Sequence, residues 1–257
     1  MKPRVAIFDF GCCEGCQLQI VNLEEDILGL LGLVDVVTWR EAMSEQSDEF
    51  DIAIVEGSIT REDEVPRLQW IRDHAKILIA LGACAHIGGI NCIKNRFDLE
   101  EVRRYVYGAH AEAFDTAPTR PVGAVVKVDA AVPGCPINRQ EFVEIVKALL
   151  LGKKPSLPTY AVCVECKRKN NVCLFDKGMV CLGPVTRAGC GAICPSFGNS
   201  CEGCRGVVPD PNLNSHGEVL AQYGLSVEDI LRFFNLYGGC QDEVGCFRSA
   251  LEARGGK

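Results

Sequence analysis

Residues 4–20 read RVAIFDFGCCEGCQLQI, and the order of their properties decides the fold. Val5–Phe10 is a short apolar run of the kind that forms a buried strand. Gly11 follows it, and Gln17–Leu31 then continues with helical spacing. The expected buried face of that helix is Leu18, Val21, Ile27, Leu28 and Leu31. The same alternation runs on through the first 150 residues. Val34–Thr38, Ile52–Val55, Ile77–Leu81 and Val125–Val128 read as strands, and Asp63–His74, Asp98–Tyr107 and Asn138–Leu151 as helices. Strands alternating with helices at this spacing predict an α/β protein built on a doubly wound parallel sheet. In such sheets ligand sites lie just beyond the carboxyl ends of the strands, at the point where the strand order reverses.

Composition bounds the rest. With 47% hydrophobic residues in a chain of 257, a proper core can be buried without crosslinks. A formal net charge of −7 argues against nucleic acid as a partner. No stretch approaches the roughly 18 apolar residues of a membrane span. MKPRVAIFDFG has none of the regions of an export signal. These features lead us to expect a cytoplasmic protein whose thiols are reduced. Leu151–Tyr160, with its prolines and lysines, reads as a linker, after which cysteine, glycine and proline rise. Ser226-Val-Glu-Asp229 reads as the capped start of a helix over Val227–Tyr237.

Sixteen cysteines are the dominant chemical feature. Cys12, Cys13 and Cys16 follow the first strand, Cys84 follows Ile77–Leu81 within LGACAHIGG, and Cys135 follows the last strand within VPGCPIN. All lie where the strand-end rule places a ligand, each accompanied by glycines that let backbone approach a bulky group. Eight more occupy Cys163–Cys204 with the spacing C-x2-C-x6-C-x7-C-x8-C-x3-C-x6-C-x2-C, enough for two four-thiolate sites. Zinc is the main rival to iron–sulfur there, because paired C-x2-C units also build structural zinc modules. The even spread of Cys173, Cys181, Cys190 and Cys194 favours iron–sulfur clusters, as does an N-terminal set on a sheet able to fold alone.

GCCEGCQLQI, LGACAHIGGI and VPGCPIN resemble the proximal-cluster motifs of the nickel–iron hydrogenase small subunit. CLF at Cys173, CLGPVTRAGC at Cys181–Cys190 and CEGC at Cys201–Cys204 resemble the C-terminal cluster motifs of that family, in the same order. The resemblance covers roughly residues 3–206 and is closest to the cytosolic, soluble-carrier-linked branch of the sulfhydrogenase delta type. It implies a flavodoxin-like domain over residues 1–152 and a small, irregular iron–sulfur domain over 153–257. By motif, Cys13, Cys16, Cys84 and Cys135 would hold a proximal 4Fe–4S cluster. Cys163, Cys166, Cys173 and Cys181 would hold a distal one, and Cys190, Cys194, Cys201 and Cys204 a medial one. Many members have histidine where Cys163 stands and proline where Cys194 stands. The second difference implies a medial 4Fe–4S cluster in place of a three-iron one. An all-cysteine chain of cubes favours low potentials.

The function implied is electron transfer between a nickel–iron centre on a large subunit and a diaphorase or other iron–sulfur or flavin acceptor subunit, linked to nicotinamide or ferredoxin. No nucleophile, base pair or dinucleotide fingerprint is found in this chain, so catalytic metal, flavin and nicotinamide are expected on partners. Two other classes are a standalone iron–sulfur subunit of another oxidoreductase (complex I-like or a sulfur reductase) and a zinc-stabilised interaction module. Of the spare cysteines, Cys12 is expected beside the proximal cluster and Cys92 as a core thiol, whereas Cys240 and Cys246 make no site. His86 and Glu14 flank the proximal motifs, and Lys167-Arg168-Lys169 is a basic run beside Cys166.

Overall fold

The computed structural model describes residues 2–245 and 249. A first compact unit ends at Pro155 and a second begins at Ser156. The first carries strands β1 (Arg4–Asp9), β2 (Asp35–Trp39), β3 (Ile52–Glu56), β4 (Ile77–Leu81) and β5 (Ala130–Val132), with helices α1 (Gly15–Val21), α2 (Glu25–Leu33), α3 (Glu64–His74), α4 (Gly82–Ile87), α5 (Leu99–Tyr107) and α6 (Arg139–Leu150). The second carries helices α7 (Val162–Arg168), α8 (Ile193–Ser196), α9 (Leu213–Gln222) and α10 (Val227–Gly238).

All four strand pairings are parallel, in the order β2-β1-β3-β4-β5. This is the flavodoxin-like order, whose switch point falls between β1 and β3. The register pairs Val5 with Ile52 and Ile52 with Ile77, so side chains of equal phase share a face. Val5, Ile7, Ile52, Ile54 and Ile79 gather on one side with Ile20, Leu30, Phe142 and Val146. Ala6, Ala53, Val55, Leu78 and Ala80 pack on the other with Leu68 and Ile71 of α3. Large residues meet the α1, α2 and α6 side, while alanines let α3 approach closely.

Three expectations are corrected. The helix over Gln17–Leu31 is two helices, interrupted at Asn22–Glu24, where Glu24 takes a positive φ of 53°. Its buried face is not the leucine row either. Leu18, Val21, Leu28 and Leu31 are exposed and Ile27 is half-buried, whereas Cys16, Gln17, Ile20, Leu23 and Leu30 are buried. Leu18 lies about 200° around the helix from Cys16, and the thiol turned toward the strand ends fixes the phase. Finally, Val125–Val128 forms no strand. Its valines pack on the core from a turn region, and the ladder starts later, where the Asp129 N–H donates to the Leu78 carbonyl at 2.9 Å.

Side-chain caps define the starts of α5, α6 and α10. Asp98 Oδ1 accepts from Glu101 N–H at 2.9 Å, and Asn138 Oδ1 accepts from Glu141 N–H at 3.0 Å. Ser226 and Asp229 form the reciprocal capping box expected for α10. In the second unit, Leu182, Val185, Leu213, Leu220, Ile230, Phe234 and Val244 form a small core between the C-terminal helices and the cysteine-bearing loops. Among the described residues no helix is long and apolar enough to cross a membrane.

Candidate metal centres

The first centre is built on strand ends. Beyond β1 the chain turns at Gly11 and enters α1 with Glu14 in the left-handed region, which brings round Cys13 and Cys16. Beyond β4, Gly82 starts α4 with φ +80°, and Cys84 follows within its first turn. Beyond β5, the loop of Gly134 and the cis Cys135–Pro136 peptide delivers Cys135. The Ala83 N–H donates to the Gly134 carbonyl at 2.7 Å, which fastens the Cys84 and Cys135 segments together. Cys84 lies near enough to Cys135 and Cys13 to feel their charge, and Cys16 near enough to feel Cys135. The four expected proximal residues are therefore brought together.

Burial raises the Cys84 thiol to about 12 and drives Cys16 higher still, with the neighbouring Glu56 and Cys135 charges adding to the effect. Such thiols give up their protons when a cationic centre takes their place as partner. Gly82 marks the space needed, because a Cβ there would sit 2.4 Å from the Cys16 sulfur. Cys12 has different company. Burial raises it to about 12, and the charges acting on it belong to Glu56, Glu14 and Asp9. Glu14 itself is ion-paired with Arg40, which also holds Asp9 at 3.0 Å.

The second unit gathers the expected distal set. Cys163 and Cys166 lie on α7, three residues apart on one face. Cys163 feels Cys181, Cys166 and Cys173, and burial raises its thiol to about 11. A Cβ on Gly183 would stand 3.3 Å from the Cys163 sulfur and 3.4 Å from that of Cys181. The expected medial set appears as two pairs, Cys190 with Cys194 and Cys201 with Cys204. Cys201 packs in one apolar cluster with Cys181, and Cys190 lies against it. The two sets also interlock, since Cys201 N–H donates to the Cys181 sulfur at 3.3 Å and Leu182 N–H to the Cys201 carbonyl at 2.9 Å.

None of these twelve cysteines forms a disulfide. Among the described residues no group of three or more His, Cys, Asp or Glu side chains is arranged to hold a metal ion. In its chemistry, an all-thiolate donor set of four suits a 4Fe–4S cluster.

Three residues of these sites escape sequence reading. Glu56, at the end of β3, is 2% exposed and accepts from Cys16 and Gln17 N–H. Glu165, between Cys163 and Cys166, turns inward to accept from Gly189 N–H at 2.9 Å and Ala192 N–H at 3.2 Å, one on each side of Cys190. His216 of α9 is 5% exposed and packs edge-on against Phe175, which follows Cys173 in the second unit. A carboxylate one residue from a cysteine carries no signal of inward orientation, although a Glu ending a fully apolar strand could have been noticed. Lys167, Arg168 and Lys169 are exposed, with Arg168 lying 5.7 Å from the Tyr160 ring centroid. Cys92 is buried, as expected of a core residue, and Cys240 is half-buried; both stand outside the three thiol groups. Cys246 lies outside the described residues.

A sheet of this order with thiols at its strand ends defines a class of redox subunits, and the comparisons with known proteins agree. The family model described as the 20 kDa subunit of NADH ubiquinone oxidoreductase matches residues 13–149, more than half of the chain. Subunit delta of sulfhydrogenase 2 from Pyrococcus furiosus is 36% identical over 89% of this chain and 96% of its own length. An F420-non-reducing hydrogenase subunit of the vhu type, from Methanocaldococcus jannaschii, is 34% identical over 80% of this chain and 82% of its own. A chain of an NAD+-reducing [NiFe]-hydrogenase solved in the H2-reduced state aligns with a TM-score of 0.54 at 26% identity, covering 62% of this chain and 96% of that one. The chain belongs to this family, among its nickel–iron hydrogenase small subunits.

Proposed function

We propose that the chain is the electron-transfer small subunit of a cytoplasmic nickel–iron hydrogenase, in which three 4Fe–4S clusters connect the nickel–iron site of a large subunit to a nicotinamide-, flavin- or ferredoxin-linked module. The observation that carries this reading is the grouping of thiols. Cys13, Cys16, Cys84 and Cys135 meet at the strand ends, and Cys163, Cys166, Cys173 and Cys181 meet in the second unit. Cys190, Cys194, Cys201 and Cys204 stand next to the latter set in two pairs. Bound there, iron–sulfur clusters would supply one-electron transfer.

The protein's own part is to hold, orient and shield. Gly82 and Gly183 leave room beside the sulfurs. The N–H groups of Gly183 and Cys201 point at the Cys181 sulfur, where such bonds tune a cluster's potential. The interlock of Cys181 and Cys201 supports distal and medial sites side by side, as a relay requires. The all-cysteine donor sets favour low potentials, suited to nicotinamide- or ferredoxin-level partners. Hydrogen activation belongs to the partner subunit.

The test is metal and sulfide analysis of the complex purified without oxygen. About twelve iron per copy of this chain, with nickel in a co-purifying subunit, is the expected result. Zinc in place of iron would overturn it.

A further inference from the structure

The thiol groups of the second unit are joined by side chains that are not themselves thiols. Glu165 stands on α7 between Cys163 and Cys166 and reaches across to the turn that carries Cys190. One carboxylate oxygen accepts the Gly189 N–H at 2.9 Å, and the other accepts the Ala192 N–H at 3.2 Å. The carboxylate therefore spans Cys190, holding the residue before it and the second residue after it. That turn needs such a partner. Gly189, Gly191 and Ala192 have positive φ of 118°, 65° and 49°, and Ala192, which lacks the freedom of glycine, is fully buried. Without the carboxylate, two amides of this bent backbone would lose their acceptors.

A second link runs beside the first. Asn171, just past the end of α7, places its Nδ2 3.6 Å from the Cys166 sulfur and 3.0 Å from the Ser196 hydroxyl. Ser196 lies on α8, the helix that carries Cys194, and its hydroxyl donates to the Ala192 carbonyl at 2.8 Å. Lys169 lies over the turn between them, where a Cβ on Gly191 would stand 3.3 Å from its Nζ. The start of the turn is fastened from the other side. The Ala188 carbonyl accepts from Nε of buried Arg205, next to Cys204, at 2.8 Å.

We propose that Glu165, assisted by Asn171, is the positioning residue that sets the separation and orientation of the distal and medial clusters, by tying the Cys190 turn to the helix that bears Cys163 and Cys166. This rests on the proposed reading in which Cys163 and Cys166 are distal ligands and Cys190 and Cys194 medial ones. The electron step between two clusters slows steeply as they move apart, so a direct tie between their ligand segments preserves the rate of the relay.

The test is electron paramagnetic resonance of the fully reduced complex, reading the spin–spin splitting between the distal and medial clusters. That splitting depends on the separation and orientation of the clusters and not on the charge of a nearby side chain. Alanine at position 165 removes both acceptors, whereas glutamine keeps the reach and one acceptor oxygen. Glu165→Ala should weaken the splitting, Glu165→Gln should restore part of it, and Asn171→Ala should weaken it less than Glu165→Ala. An unchanged splitting in Glu165→Ala, or no distal–medial splitting in the unaltered complex, would overturn the proposal. Should Glu165→Ala lose its medial iron, Glu165→Gln decides alone, since it too gives up one bond, and an unchanged splitting there has the same force. Iron content of the unaltered complex keeps the two ideas apart: zinc in place of iron ends the cluster reading itself, whereas about twelve iron with an unmoved splitting ends only the positioning role.

Discussion

The buried carboxylate of Glu56 accepts the backbone N–H of Cys16 at 3.1 Å and that of Gln17 at 3.2 Å, tying the end of β3 to the first turn of α1. Gln17, itself 1% exposed, passes the link on, its Oε1 accepting from Trp39 Nε1 at 2.8 Å. The strand on one side of the switch point therefore grips the helix that carries the proximal thiols. Burial pushes the Glu56 carboxyl above the usual carboxylate range, while the two amides pull it back. Glu56→Gln keeps an acceptor oxygen for these amides and removes the negative charge. The proximal cluster should then be easier to reduce by an amount on the order of 1–2 kcal/mol, the effect of a unit charge at an effective dielectric near 20. Glu56→Ala should instead leave both amides unsatisfied, at about 1–3 kcal/mol each, and lower iron content. Redox titration and iron analysis of the two variants check both outcomes. A Glu56→Gln potential equal to that of the unaltered protein would remove Glu56 from any electrostatic role.

Gly82 and Gly183 offer a graded pair. A Cβ on Gly82 would stand 2.4 Å from the Cys16 sulfur, on a backbone with φ +80° that side chains rarely adopt. Gly82→Ala should therefore lose the proximal cluster, about four of about twelve iron. On Gly183 the nearest sulfurs would be 3.3 and 3.4 Å away, a contact relieved by a shift of a few tenths of an ångström. Gly183→Ala should keep its iron and change only the distal signal. Iron and sulfide analysis beside circular dichroism would separate cluster loss from unfolding.

Much of this was legible in the sequence, for physical reasons. β4 falls at Ile77–Leu81 as its apolar run implies, because a strand buried on both faces needs no alternation to be seen. The positions of Cys84 and Cys135 followed from the strand-end rule alone. The phase of α1 was hidden, because Leu18 and Val21 make an apolar row that a helix would normally bury, while Cys16, Gln17 and Ile20 face inward. β5 was misplaced because Val125–Val128 is more apolar than Ala130–Val132, and the ladder forms where Asp129 meets Leu78. Glu56 and Glu165 act through backbone groups distant in sequence, and no spacing announces such partners.

The raised thiols predict how a cluster-free chain responds to pH. In the unfolded chain a cysteine ionises near 9, whereas in the folded chain Cys84 holds its proton to about 12 and Cys163 to about 11. Above pH 9 the folded state therefore binds more protons than the unfolded one, and stability must fall as pH rises. The loss grows until the folded values are passed, near 11 for Cys163 and 12 for Cys84. With clusters bound these thiols are already deprotonated, so this particular dependence should vanish. Urea unfolding of iron-stripped and loaded protein at about pH 7.5 and about pH 10, both under reducing anaerobic conditions, provides the comparison. A stripped protein equally stable at the two pH values would contradict the buried, protonated state of these thiols.

In the proposed assignment, Cys194 decides the character of the medial site. It stands on the short helix α8 beside Cys190, and burial raises its thiol, with Cys190 and Glu202 adding their charge. With Cys194 as ligand, the medial set has four sulfurs and can hold a complete cube. Without it, three sulfurs remain, and the iron it held is the one that would be lost. Cys194→Ala should convert the medial cluster to a three-iron form, with a new signal in the oxidised protein and a raised medial potential. Iron content should fall by about one per chain, while the proximal and distal signals stay in place. Slower electron flow to a low-potential acceptor should follow, since a raised medial potential puts an uphill step between the proximal and distal sites. Finding the three-iron signal already in the unaltered protein would mean that Cys194 is no ligand, and the relay would then contain the very step its fourth thiolate is expected to remove.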